Sequence, residues 1–290
     1  MTNALPNEHD VHPYYRLGWQ GPTRKHLIAF DRFLTGQHAT PPWANFMHDV
    51  RAWCGRTNLH FGTCGPNMVA NLFISWFMYA LGEQVTVTDD AIYDLYRRAG
   101  NPQFNPTTGA DDNGVDNAVL MGAMLLGSSS DAGLDVTRAD GSVQRVTISV
   151  FGKLTGTGQE LVDQMKAATG LFGGVCIAVN LEIAQQHQTV AHPPVWSDIP
   201  SSPNWGGHDI FGGRYTGVEG DDEHVISWLV NVGVADDFIR ARSSELLVAV
   251  PTLALKQAPV SVASGVHWTD LADEFSYLTG RTLDLSTLAS

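Results

Sequence analysis

Met68, Val69, Leu72, Phe73, Trp76, Phe77, Ala80 and Leu81 recur at helical spacing and make one broad apolar face. A helix of this kind has to be buried, so the fold is organised around it. Pro66 stands in its first turn, where a missing N–H costs nothing, and Gly82 ends it. The residues leading in are Asn58-Leu59-His60-Phe61-Gly62-Thr63-Cys64-Gly65. Cys64 therefore lies at the helix head, flanked by glycines. Helix N-termini carry free N–H groups and partial positive charge. That environment favours the thiolate, the reactive form of cysteine. Cys64 is a candidate nucleophile, and the question is whether the chain supplies its partners.

The bulk properties narrow the classes. A chain of 290 residues with 43% hydrophobic residues fits one domain with embellishments and a real core. Its net charge of −13, without a basic cluster, argues against nucleic acid and against anionic membrane surfaces. No apolar run reaches the ~18 residues of a membrane span. Residues 1–10 lack the basic-then-apolar pattern of a signal peptide. Cys54, Cys64 and Cys176 make no disulfide framework, and a reducing compartment is the simpler reading. None of the Gly-Gly pairs carries the Gly-Lys-Ser/Thr of a phosphate loop, and no cofactor is expected.

The pattern along the chain predicts an irregular arm over 1–57, with a short helix near Arg24–Phe30. After the Cys64 helix, Thr88-Asp89-Asp90 starts a second helix that stops near Gly100. A third is expected over Gly114–Leu126. Residues 128–155 turn β-like, with Arg145–Val150 the best strand. Thr157-Gly158-Gln159-Glu160 reads as a capping box for a helix through Ala168. Strands are expected over Val175–Val179, His208–Tyr215, Glu223–Trp228 and Glu245–Val250, with a short helix at Asp236–Arg240. A C-terminal extension from 251 holds an amphipathic helix, Thr269–Leu278. Helices first and antiparallel strands later define an α+β layout.

A thiol nucleophile needs a base, normally histidine, held by a third group, and donors for the oxyanion. Among eleven histidines His208 stands out, opening a strand directly after Gly206-Gly207. Here a resemblance enters. Gly62-Thr63-Cys64-Gly65 before a long helix is similar to the Gly-Ser-Cys-Trp of papain-like cysteine peptidases, with Gly65 in place of the tryptophan. Gly207-His208-Asp209-Ile210-Phe211-Gly212-Gly213-Arg214-Tyr215 resembles that family's histidine strand, and Val225-Ile226-Ser227-Trp228 its Asn-Ser-Trp-Gly strand. The order of the flanking elements over 55–250 looks most like the papain-like proteins encoded by bacteriophages.

The resemblance implies a helical lobe packed on an antiparallel β lobe, with 58–250 as the papain-like domain. It implies Cys64 as nucleophile, His208 as base, Asn58 (six residues before the cysteine) as oxyanion donor and Trp228 as shield of the histidine. The alignment puts Ile226 where the orienting asparagine belongs and Leu229 where the glycine belongs. Isoleucine accepts no hydrogen bond, so Ser227 is the substitute orienter, on condition that it reaches the histidine's face. Asn231 and Asp209 are weaker candidates, Asp209 because it points away if His208 points in.

The implied activity is a cysteine hydrolase, a peptidase acting on a peptide or protein, cytoplasmic in a bacterial host or associated with a virion. Two rivals stand beside it: a catalytically degraded papain-like domain acting as a structural or binding protein of a phage particle, with other virion proteins as partners, and an acyltransferase or transglutaminase-like enzyme sharing the same chemistry. His187, His192 and Asp198 match no defensible metal spacing. Asp111-Asp112-Asn113 and Asp221-Asp222-Glu223 read as solvated turns. Trp19, Trp43, Trp53 and Trp205 are candidates to line a cleft or to pack the arm.

Overall fold

The computed structural model describes residues 16–20, 40–218 and 221–253; the helices expected at Arg24–Phe30 and Thr269–Leu278 lie outside the described residues. In chain order the elements are β1 (Ala44–Asn45), a 3₁₀ turn (Thr57–Leu59), α1 (Cys64–Leu81), α2 (Asp89–Arg98), α3 (Asn117–Met124), β2 (Leu134–Thr137), β3 (Val143–Val146), β4 (Ile148–Lys153), α4 (Gln159–Phe172), β5 (Val175–Glu182), α5 (Ile183–Thr189), β6 (Val195–Trp196), β7 (Asn204–Val218), β8 (Asp221–Ser227), β9 (Val230–Val234), α6 (Asp236–Arg242) and β10 (Ser243–Pro251). The architecture is α+β.

The central helix α1 is buried on every side from Cys64 to Phe77, not along one face only. It ends where expected, at Gly82, whose left-handed backbone (φ 64°) lets its N–H reach Met78 O at 2.9 Å. Its polar residues form a seam at i, i+4 and i+8. Asn67 bonds Thr57 Oγ1 and Thr63 O, Asn71 pairs with both backbone groups of Cys54, and Ser75 donates to Phe46 O at 2.6 Å. Residues 46–57 are thereby stitched to the helix that organises the core.

An eight-stranded sheet runs β4-β10-β5-β7-β8-β9-β6, with β1 added to β7; β2 and β3 form a separate hairpin. Alternation along the strands gives the sheet two apolar faces. Val175, Ile177 and Val179 of β5, with Ile210, Val225 and Val248, pack under Val162, Met165 and Leu171 of α4 and Phe238 of α6. Cys176, Phe211, Ile226 and Leu247 turn the other way, onto Met68, Leu72 and Phe73 of α1 and the residues of α2 and α3. Each such large side chain withdrawn from water contributes roughly 1.5–3 kcal/mol. The junction between the helical lobe and the sheet is where α1 meets β7.

Several boundaries differ from the sequence reading, each for a local reason. The third helix begins only at Asn117, because the carboxylate of Asp116 caps the N–H groups of Ala118 and Val119 at 2.7 and 3.1 Å. The strand expected over Arg145–Val150 is broken at Thr147: β3 pairs with β2, whereas β4 pairs with β10. No capping box opens α4. Its N-cap is Gly158 at φ 56°, and it extends to Phe172, past the expected Ala168. The reciprocal box sits instead at Glu182 and Gln185, heading α5, a helix the sequence reading did not contain. Strand β9 was likewise not anticipated.

Helix α2 carries a clean test of its start. Exposed Thr88 accepts Ala91 N–H at 3.2 Å as the N-cap. Thr88→Ala is expected to lower stability by about 1 kcal/mol without repacking anything, seen as a lower urea midpoint at an unchanged m-value.

Candidate active site

The head of α1 is fixed from below. Thr63 Oγ1 donates to Thr57 Oγ1 at 2.9 Å, tying the 3₁₀ turn that carries Asn58 to the helix start. Gly62 N–H reaches Asp112 Oδ1 at 2.9 Å, and the same oxygen accepts Tyr96 Oη at 2.8 Å. Cys64 is thus held at the lobe junction, 1% exposed. Asn58 is buried, and its Oδ1 has no hydrogen-bond partner among the described residues.

Facing this head are β7 and the β8–β9 hairpin. Phe211 pairs with Ile226, and continuing that register by one residue sets Ser227 beside Ile210, on the face that carries His208. Ser227 Oγ lies 2.8 Å from His208 Nε2. Ile226 points to the opposite face and belongs to the core against α1. Strand alternation therefore places Ser227 beside the imidazole with no shift of register, while the aligned residue, Ile226, is turned away from it. Asn231 Oδ1 is bonded to His224 Nδ1.

Trp228 lies flat on the imidazole: the ring centroids are 4.1 Å apart and the planes 11° from parallel. Trp205 and Trp196 pack around the indole at 5.4 and 6.1 Å. Ser227 and Val230 are paired, so Trp228 and Leu229 are the two central residues of the hairpin turn. Both have positive φ, 45° and 68°. Such turns ordinarily use Asn-Gly, and a bulky residue there is strained by about 1–3 kcal/mol. The strain aims the indole at His208. Burial pushes the His208 pKa down to about 3, and its Nδ1 is buried without a partner among the described residues.

The neighbour of His208 is the surprise. Asp209 was expected to point away from the site, and it does point to the opposite face of β7, but that face is the one against Cys64. The thiol donates to Asp209 Oδ2 at 3.5 Å, and Asn117 Nδ2 donates to Asp209 Oδ1 at 2.9 Å. Burial pushes the Asp209 pKa up to about 7; Glu245 and Asp116 push the same way, and the Asn117 and Cys64 hydrogen bonds oppose them. Burial first and the Asp209 charge second push the Cys64 thiol up as well, while the Asp209 backbone N–H pulls the other way. The thiolate preference expected from the helix terminus is therefore overridden here.

Residues 16–20 explain the burial. Gln20 N–H bonds Val115 O at 2.9 Å and Val115 N–H returns to Gly18 O, a parallel bridge on the helical-lobe side. On the sheet side Trp19 N–H reaches Gly207 O at 3.3 Å, and Trp228 Nε1 donates to Arg16 O at 3.2 Å. Between them Gly18 packs against the backbone of Gly62, two residues before Cys64, and its N–H favours the Cys64 thiolate against the larger effect of burial. The segment passes between the lobes directly over the candidate nucleophile. No local pattern in the sequence signals this, because every partner is distant in the chain.

The other candidates have ordinary surroundings. Asp198 is bonded to Arg242 at 2.6 Å, and among the described residues no cluster of three or more His, Cys, Asp or Glu is placed to hold a metal. Cys54 donates to Asn67 Oδ1, and burial, chiefly, pushes its pKa up to about 12; Cys176 is a buried core thiol raised the same way. Among the described residues no helix is long and apolar enough to cross a membrane.

The architecture is that of the papain-like cysteine proteases. The chain is similar to xylellain, a cysteine protease from Xylella fastidiosa, with a TM-score of 0.59 and 10% identity over 82% of this chain and 96% of that one. It is similar also to procathepsin B S9 of Trypanosoma congolense (TM-score 0.52, 8% identity, 82% and 86% covered). A third likeness is digestive procathepsin L 3 of the Tenebrio molitor larval midgut (TM-score 0.51, 10% identity, 79% and 75% covered). No protein-family profile matches the sequence, and no curated protein does.

Proposed function

We propose that this protein is a cysteine peptidase in which Cys64 attacks a peptide carbonyl and His208 handles the proton. The observation that carries the reading is the state of His208. Ser227 occupies Nε2, Trp228 covers the ring, and Nδ1 has no hydrogen-bond partner among the described residues, the Cys64 thiol being bonded to Asp209 in this closed state. That is what a base for the thiol of Cys64 requires: one nitrogen fixed, which sets the tautomer, and the other available. The sulfur–carbon bond forms as the thiol proton passes to Nδ1, and the same proton later goes to the leaving amine. The Cys64 N–H and the Asn58 amide are the oxyanion donors.

In the described state the site is closed. Arg16–Gln20 excludes water from the nucleophile and base, and burial holds the thiol and the imidazole in their neutral forms. Departure of the segment readmits solvent and lets the thiolate–imidazolium pair form. The substrate is a peptide or protein, and virion proteins, suggested by the likeness to phage-encoded sequences, are one class to include in the assay.

Cys64→Ala is expected to reduce hydrolysis of a mixed peptide pool by at least about 10³-fold. A peptidyl electrophile selective for thiols should modify Cys64 ahead of Cys54 and Cys176, read by mass spectrometry of the digested protein. Full activity in Cys64→Ala overturns the proposal.

A further inference from the structure

A carboxylate in contact with the nucleophile is not part of a Cys–His mechanism, and its position allows a definite role. Asp209 is 3% exposed and Cys64 1%. The groups that face the Asp209 carboxyl are Cys64 from α1, Asn117 and the cap Asp116 from the start of α3, Cys176 from β5 and Glu245 from β10. Of these, the hydrogen-bond donors are the Cys64 thiol and the Asn117 amide, and no cation is among them. His208 is its chain neighbour but lies on the other face of β7, bonded to Ser227. Lys153 acts on Glu245 rather than on Asp209.

We propose that Asp209 sets the charge state of Cys64, so that the thiolate forms readily only while Asp209 carries a proton. This rests on Cys64 as the nucleophile of the proposed peptidase. Ionised Asp209 accepts the thiol's hydrogen and holds it on sulfur; a thiolate would then stand 3.5 Å from a second anion in a dry junction. Protonated Asp209 reverses the bond. Its O–H donates to the sulfur, and the thiol proton, no longer held by a carboxylate, can pass to the base once Arg16–Gln20 has moved aside, leaving a thiolate with no net change in proton count.

Burial pushes the Asp209 carboxyl up to about 7, which puts the change of state near neutrality. Below that pH the carboxyl is neutral and the thiolate is favoured. As pH rises through it, the carboxylate forms and the thiolate is opposed. Asp209 acts through Cys64, not on the substrate.

The test is a titration of the full-length protein. Thiolate absorbance near 240 nm is followed against pH, with Cys64→Ala subtracted to isolate the Cys64 signal. Asp209→Asn keeps the shape, removes the charge and offers an amide donor to sulfur. The Cys64 midpoint is expected to fall by at least one pH unit relative to wild type. An unchanged or raised midpoint overturns the proposal.

Asn117→Ala is the second variant, for use whether or not Asp209→Asn folds. Losing the amide donor favours protonated Asp209, so the Cys64 midpoint should fall again, by a smaller amount. No shift there counts against the proposal. The readout needs no hydrolysis. If Cys64→Ala retains peptidase activity, the catalytic reading fails, while the titration still decides whether Asp209 governs Cys64.

Discussion

Replacing Gly18 with valine should raise the rate of peptide hydrolysis by at least tenfold. A Cβ at Gly18 would lie 2.0 Å from Gly62 O, and the obstacle is backbone on a loop pinned by Asp112. Gly114 clamps the other side, since a Cβ there would lie 2.0 Å from Gly18 O. No rotamer relieves such a clash, so the segment must leave. Leaving breaks the two bonds to Val115, those from the Gln20 amide to Asn113 O and Gly114 O, the bond from Trp19 to Gly207 and the bond from Trp228 to Arg16. Those bonds are worth about 0.5–1.5 kcal/mol each, and a tenfold shift toward the open state needs only about 1.4 kcal/mol. Initial rates at matched enzyme concentration read the effect. A folded Gly18→Val protein no faster than wild type would show that Arg16–Gln20 does not limit access.

His208→Ala should lower kcat/KM by about 10²–10⁴, the range that a positioned general base contributes. The loss belongs in kcat, because the imidazole acts on the proton and not on substrate binding. Ser227→Ala is informative beside it. It leaves Nε2 buried without its partner, an expense of roughly 1–3 kcal/mol, and frees the ring to take either tautomer. Activity should fall by about 10–100-fold at unchanged KM. Equal rates for Ser227→Ala and wild type would remove Ser227 from the site, and a His208→Ala enzyme with full kcat would remove the base.

The frame of the site was legible in the sequence wherever the signal was local. The periodic run from Met68 to Leu81, Pro66 near its start and Gly82 at its end define α1, and Cys64 falls at its first residue. That His208 lies on a strand was equally readable, but it does not open it: β7 starts at Asn204 and includes Gly206 and Gly207. What escaped depends on which face a strand residue takes. Alignment by Ser-Trp put Ile226 in the orienting position, whereas the pairing of Phe211 with Ile226 sends Ile226 to the core and Ser227 to the imidazole.

The same alternation misled on Asp209: both faces of β7 at this point look onto the site, one through His208 and one through Cys64. Strand β9 escaped because Trp228-Leu229 carries none of the residues that usually mark a two-residue hairpin turn. The passage of Arg16–Gln20 over Cys64 escaped because its partners are Val115, Gly207 and Trp228, far along the chain and without a pattern that links them.

The hairpin tip sets foldability against chemistry. Turn statistics would write Asn-Gly where this chain has Trp228-Leu229, and the hairpin would close with less strain. The imidazole would then lose the indole stacked on it and open to water. The change that makes β8 and β9 easier to fold would leave His208 unguarded, so this turn is a poor place to look for thermostability. Gains belong at positions remote from the lobe junction, and a consensus-guided redesign of this protein has to leave residues 228 and 229 alone.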